Sequence, residues 1–378
     1  MQFRQEFARL HIDSFEVVRL QRFKHVLIMA LFLFTGYLFL ANSEIAKFAV
    51  SEGLKLCATA ILPALFPFFI LSDLWIRSGN AAQIADMFSP VIEKLFHISG
   101  NTTPAFLLGL IGGYPIGIRT ISQLYLEKFI SKDDAEKAML FCNNAGPAFI
   151  IGIVGIHVFH SVNAGILLYV IHVVSAILIG FLLRPKLCAK NQTAIQKPKS
   201  IINRTNELTT AITNGGQTAL LVCTYVLLFS LIIEIIHAEF SNMIPKTLFV
   251  FLSGLIELTN GIHMLAAAGM SESTRFVAAS FFLGFGGSCI IMQSLSLISS
   301  TGLSTKNILI GKTLHGLCSA LLARLLWPVC SFTAVSSFSN ITQQSYTRSI
   351  ILSAIFVPFV FIIFLTKITT GKQKNNRI

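Results

Sequence analysis

The residues best suited to chemistry in this chain sit where glycine and proline interrupt apolar sequence. Gly112, Gly113, Tyr114, Pro115 and Gly117 lead into Arg119; Cys142, Asn143, Asn144, Ala145, Gly146 and Pro147 interrupt a second apolar run; Glu257 and Asn260 lie between Gly254 and Gly261 in a third. In a helix interior glycine costs about 1 kcal/mol and proline about 3 kcal/mol, so the first two stretches cannot continue a regular helix. A broken helix frees backbone N–H and C=O groups, and inside a bilayer these need partners. A polar solute can supply them. Arg119 would then hold an anion beside the free N–H groups of a helix start, and Asn143 and Asn144 can both donate and accept. Glu257 and Asn260 are three apart and share a helix face, which suits an ion pathway or a structural ion pair equally. Plainer roles are open as well: the glycines can serve close helix packing, Arg119 can snorkel to the surface, and the asparagines can cap helix ends.

The elements that must carry these residues follow from composition. Of 378 residues, 54% are hydrophobic and 12% charged, against about 25% charged in an ordinary globular domain, and the mean hydropathy is +0.72. A soluble enzyme and a disordered chain are excluded. At about 20 residues per spanning helix, apolar stretches run near 25–41, 52–76, 104–118, 139–159, 163–183, 217–237, 245–268, 276–300, 306–330 and 347–367. The expected fold is an all-α polytopic membrane protein with about 8–10 helical segments in two repeated halves, each with a broken or re-entrant helical hairpin.

The net charge of +12 collects in three patches. These are the N-terminal segment (Arg4, Arg9, Arg19, Arg22, Lys24), a stretch from Arg184 to Arg204 without acidic residues, and the tail (Lys367, Lys372, Lys374, Arg377). By the positive-inside bias all three face the cytoplasm. Five apolar segments on each side of the middle patch then require one segment per half that does not cross completely, and the glycine-interrupted ones are the candidates. The expected organisation is an N-terminal cytoplasmic segment and uncleaved first helix (1–49), a first repeat (50–183), a basic linker (184–205), a second repeat (206–330), and a last helix with its tail (331–378). The segments from Phe106 and Phe281 support a duplication: with Gly112 and Gly113 set on Gly286 and Gly287, Thr120 meets Ser294, Ser122 meets Ser296 and Lys132 meets Lys306. In that register Arg119 meets the neutral Gln293, so only one half offers a permanent cation there.

Other chemistries lack their signatures. His157 and His160 are three apart, without an HExxH pattern or a third ligand. There is no GxSxG or Walker loop, and the seven cysteines form no CxxC and read as small core residues. No nucleic-acid motif accompanies the basic charge. The expectation is a protein that is not an enzyme, with no cofactor, metal or nucleic acid; its partners are the lipid bilayer and a small-molecule solute, and a homo-oligomer is compatible. A turn at Ser131 with Asp134 three residues on is expected to be a solvated helix start.

Taken together, LPALFPFFILSD from Leu62, GGYPIGIR from Gly112, the SKDDAE turn, FCNNAGPAFIIG from Phe141 and GLIELTNG from Gly254 resemble the sporulation integral membrane protein YlbJ family, among the nucleoside recognition (Gate) domain membrane proteins. The resemblance runs from about residue 50 to residue 330. It implies transport, with re-entrant hairpins meeting near mid-membrane, Tyr114, Arg119, Asn143 and Asn144 at the first and Ser288 and Gln293 at the second. Gly113, Glu257 and Asn260 complete the expected solute-binding set. The family further implies dipicolinic acid as the solute and, in a spore-forming organism, the outer forespore membrane as the location of this multi-pass protein. The alternative is a non-transporting membrane scaffold for sporulation or envelope remodelling.

Overall fold

A computed structural model of the chain describes residues 2–77, 80–184 and 204–329. Nearly all of the basic linker, and the whole of the last helix and tail at 331–378, lie outside the described residues. Among those described the chain is helical, without strands. In order it runs α1 (Gln2–Ala41), α2 (Ser43–Leu56), a π-helical turn (Cys57–Ile61), α3 (Leu62–Arg77), α4 (Asn80–Phe96), α5 (Thr103–Gly112), α6 (Ile116–Leu126) and α7 (Lys132–Ala138). An irregular stretch leads to a π-helical segment (Ala148–Val158), followed by α8 (Val162–Leu182), α9 (Arg204–Phe240), α10 (Lys246–Ile256), α11 (Leu258–Ala267), α12 (Glu272–Phe285), α13 (Gly287–Ile298) and α14 (Lys306–Leu326).

Five of the described segments are long and apolar enough to cross a membrane: Arg22–Ala41, Val162–Leu182, Glu207–Phe240, Glu272–Ile298 and Lys306–Leu326. The first exposes its apolar side chains along its length, Phe32 and Leu40 among them, as a lipid-facing helix does. The helices between are too short. α5 has 10 residues and α11 also 10, about 15 Å each at 1.5 Å per residue, half the hydrocarbon thickness.

Those short helices fold back on each other in pairs. α5 and α6 pack side by side, and a Cβ on Gly109 would lie 3.2 Å from Cα of Gly117. α10 and α11 do the same, and here a Cβ on Gly261 would overlap the backbone of Gly254. Residues this far apart along one straight helix would stand about 10 Å or more from each other, so both pairs are hairpins. There is one hairpin on either side of the basic linker, but the second is not at the second glycine pair. Gly286, with a left-handed φ of 84°, joins α12 to α13 without folding one back on the other; the turn lies instead at Glu257. Tertiary packing decides the direction of a break, which glycine only permits.

Around the hairpins, α12 and α14 pack along their length, with Gly284 against Gly316, the small-residue contact by which helices approach in lipid. Phe96, Phe106 and Phe141 join α4 and α5 to the irregular stretch through ring contacts of 4.3 to 5.8 Å. Ser131 starts α7 as expected, its Oγ accepting from Asp134 N at 3.1 Å.

Candidate functional site

A small cavity of about 100 Å³ opens where the three interruptions meet. Gly112, Gly113 and Tyr114 from the α5–α6 turn, Ala145 and Gly146 from the irregular stretch, and Glu257, Leu258 and Thr259 from the α10–α11 turn all reach it. α13 adds Ile290 and Gln293, while Leu65, Phe68, Phe149 and Val222 make an apolar wall. The volume falls below the ~300 Å³ at which small-molecule pockets begin, so this arrangement is too narrow to surround a whole solute. α6, the π-helical segment and α11 begin at Ile116, Ala148 and Leu258, beside or within the wall. Three helix starts, the positive ends of their dipoles, therefore converge on one volume.

Glu257 shapes that volume and adds a carboxylate to it. It is extended, with φ −142° and ψ 125°, and it caps α11. One carboxylate oxygen accepts from Thr259 N at 3.0 Å; the other accepts from Asn260 N at 2.8 Å and from Asn260 Nδ2 at 2.9 Å. Glu257 and Asn260 thus meet, as their spacing predicted, although Glu257 stands at the cap rather than on the helix face. Ser288 Oγ donates to Leu255 O at 3.1 Å and fastens the start of α13 to this turn. Gln293 lines the cavity and donates to Cys289 Sγ.

Behind Tyr114 lies a residue that sequence reasoning missed. Lys312, on α14, is 2% exposed. Its side-chain nitrogen bonds Tyr114 Oη and Asn143 O, the latter at 3.2 Å, and lies 4.3 Å from the Tyr114 ring centre. No carboxylate among the described residues pairs with it. Burying an ion costs several kcal/mol even after relaxation. Two bonds from a charged group return about 1.5–3 kcal/mol each, and a desolvated ring about 2 kcal/mol, so the opposing contributions are similar in size. The signal was available in sequence: the 306–326 span carries Lys312 with no acidic residue anywhere in it, and an unpaired charge within a span marks function by default.

Asn143 and Asn144 belong to the same buried layer without lining the cavity. Asn143 Nδ2 donates to Ser294 Oγ at 2.9 Å and Asn144 Nδ2 to Phe141 O at 2.9 Å, while both Oδ1 atoms are buried without a partner. Next to them His172 Nε2 accepts from Ala145 N at 3.0 Å, which puts its proton on Nδ1. The His315 ring lies tilted against it, with ring centres 4.3 Å apart, and bonds His172 O.

Arg119 occupies different surroundings from those expected of a solute cation. It does not line the cavity; it pairs with Asp73 at 2.9 Å and donates to Phe69 O at 3.4 Å. Asp73 also receives Arg77 at 2.6 Å and Asn214 Nδ2 at 3.3 Å, so one buried carboxylate ties α3, α6 and α9 together. Of the nine residues expected at the site, Gly113, Tyr114, Glu257 and Gln293 line the cavity, Asn143, Asn144, Asn260 and Ser288 support its edges, and Arg119 stands apart. No group of three or more His, Cys, Asp or Glu is placed to hold a metal ion among the described residues.

With this geometry in view, comparison with known proteins is direct. Residues 58–162 match the Gate family model, described as nucleoside recognition. The sporulation integral membrane protein YlbJ of Bacillus subtilis (strain 168) is 26% identical over 345 residues, covering 82% of this chain and 84% of its own length. The chain resembles YlbJ, and residues 58–162 resemble the Gate family. That segment holds the π-helical turn, the whole first hairpin and the Asn143–Asn144 stretch, while the YlbJ likeness takes in most of the chain. No solved structure matches.

Proposed function

We propose that this membrane protein is a transporter or facilitator for a small anionic or nucleoside-like solute, with dipicolinate the foremost candidate and the outer forespore membrane its location where the source cell sporulates. The observation that carries the reading is the cavity at the junction of three helix starts. Interrupted helices inside a bilayer bundle are tolerated where they are buried or line a cavity, and their N-termini hold anionic groups in transporters. A scaffold has no need of polar backbone gathered around a cavity. The YlbJ likeness supports a sporulation context.

Dipicolinate is a planar pyridine bearing two carboxylates. Its ring suits the apolar wall of Phe68 and Phe149, and a carboxylate suits the N–H at Gly146, just ahead of the π-helical segment, since the Gly113 N–H is held by Gly109 O. In this reading Tyr114 and Gln293 orient the solute, Glu257 sets how much negative charge the wall accepts, and Asn143, Asn144, Asn260 and Ser288 hold the interruptions open. Arg119 acts at a distance, by holding α6 through Asp73. The test is flux into proteoliposomes, comparing dipicolinate with uridine. Saturable passage of either that disappears in Tyr114→Ala supports the reading, and leakage no faster than in protein-free vesicles from a correctly folded sample removes it.

A further inference from the structure

Lys312 joins the interruptions to one another. Its nitrogen touches the first hairpin through Tyr114 Oη and the irregular stretch through Asn143 O, and its stem passes the α12–α13 break, where a Cβ on Gly286 would stand 3.4 Å from Cε. Tyr114 Oη already donates to Leu283 O at 2.7 Å, so it accepts from Lys312. That makes two acceptors, Tyr114 Oη and Asn143 O, for this nitrogen. A neutral amine has two N–H groups and is satisfied by them; an ammonium has a third. Beyond the Tyr114 ring, the described chain offers that third N–H no acceptor within hydrogen-bond distance, and Tyr114 itself lines the cavity.

The groups that face Lys312 do not supply a permanent counter-charge. Its own helix brings His315 and α8 brings His172, and these two are engaged with each other and with Ala145 N. The first hairpin brings Tyr114 and the irregular stretch brings Asn143, whose side-chain amide donates to Ser294 of α13. The charged pair of α12, Glu272 and Arg275, lies at the opposite end of that helix from Gly286. Glu257 is the nearest acid of the cavity wall, and its oxygens are occupied in capping α11.

We propose that Lys312 takes up a proton as an anionic solute enters the cavity and returns it as the solute leaves, so that this chain couples anion passage to proton movement. The inference rests on the transport reading. In the empty state the amine is neutral. On solute entry its lone pair accepts a proton from the aqueous phase, forming the third N–H bond, whose charge balances one negative charge of the solute. On release that bond breaks, the electron pair stays on nitrogen and the proton passes to water.

Titration calorimetry of the purified full chain, in buffers of different ionisation enthalpy at neutral pH, counts protons bound with each solute. Dipicolinate is already fully ionised there, so any uptake belongs to the protein. The expected result is about one proton taken up per dipicolinate and none with uridine. Lys312→Arg, permanently charged and with the stem preserved, should bind dipicolinate with no uptake, and Lys312→Met should lose most of the binding. His315→Gln, outside the cavity wall, should keep the uptake. Dipicolinate binding without proton uptake in the natural protein, or uptake that persists in Lys312→Arg, overturns this inference and leaves the transport reading standing. Failure of both dipicolinate and uridine to bind overturns both.

Discussion

Two buried charge sites in this molecule are built on opposite plans. At Asp73 one carboxylate meets Arg119, Arg77 and Asn214, drawn from three helices. At Lys312 one amine meets a phenol and a backbone carbonyl, with no opposite charge. The first site is complete without any ligand and can only fasten α3, α6 and α9. The second is adjacent to the cavity and left electrically open. A buried charge signals function when it lacks a partner, and architecture when it has several.

That contrast can be broken by substitution. Asp73→Asn should have the largest effect on stability, about 3 kcal/mol, because it strands Arg119 in the protein interior; the low end of the range applies since the Arg77 side chain is 32% exposed. Thermal unfolding of the detergent-solubilised protein measures it, and an unchanged midpoint would place Asp73 outside the structural framework. Arg119→Gln should come next, with a loss of about 1–3 kcal/mol. Combining it with Asp73→Asn should cost less than the sum by about 0.5–3 kcal/mol, the coupling expected of contacting residues; strict additivity would mean the pair is not a unit. Glu257→Gln keeps one oxygen for capping and should cost about 1 kcal/mol. By removing negative charge from the wall it should also tighten dipicolinate several-fold while leaving uridine nearly unchanged, as equilibrium binding of the two solutes would show. Lys312→Met should move the unfolding midpoint least, by less than about 1 kcal/mol, since relief from burying a polar amine offsets two lost bonds. A collapse in stability there would make Lys312 a second Asp73.

Much of the architecture was legible in the sequence because lipid leaves few options. Apolar runs, glycine pairs and the Asn143–Asn144 stretch each mark a helix or its interruption, and within the described residues the structure has a helix or an interruption at each of them. The direction of each interruption was not legible. Gly112–Gly113 turns the chain back while Gly286–Gly287 lets it run on, because the turning is decided by what packs alongside, here Gly109 on Gly117 and Gly254 on Gly261. Arg119 was misplaced for a related reason: its partner Asp73 is 46 residues away, beyond any spacing rule for a single helix. Lys312 needed a different question, namely which charge in a span has nothing local to pair with.

Backbone laid directly on backbone inside each hairpin also has a mechanical meaning. At Gly109 against Gly117, and at Gly254 against Gly261, no compliant side-chain layer separates the two arms, so each hairpin swings as a stiff lever instead of splaying. Under the proposed transport reading, a solute larger than the cavity would have to move the two levers away from each other. The layer that would then have to yield is the side-chain lining of the cavity, Phe68, Phe149 and Ile290.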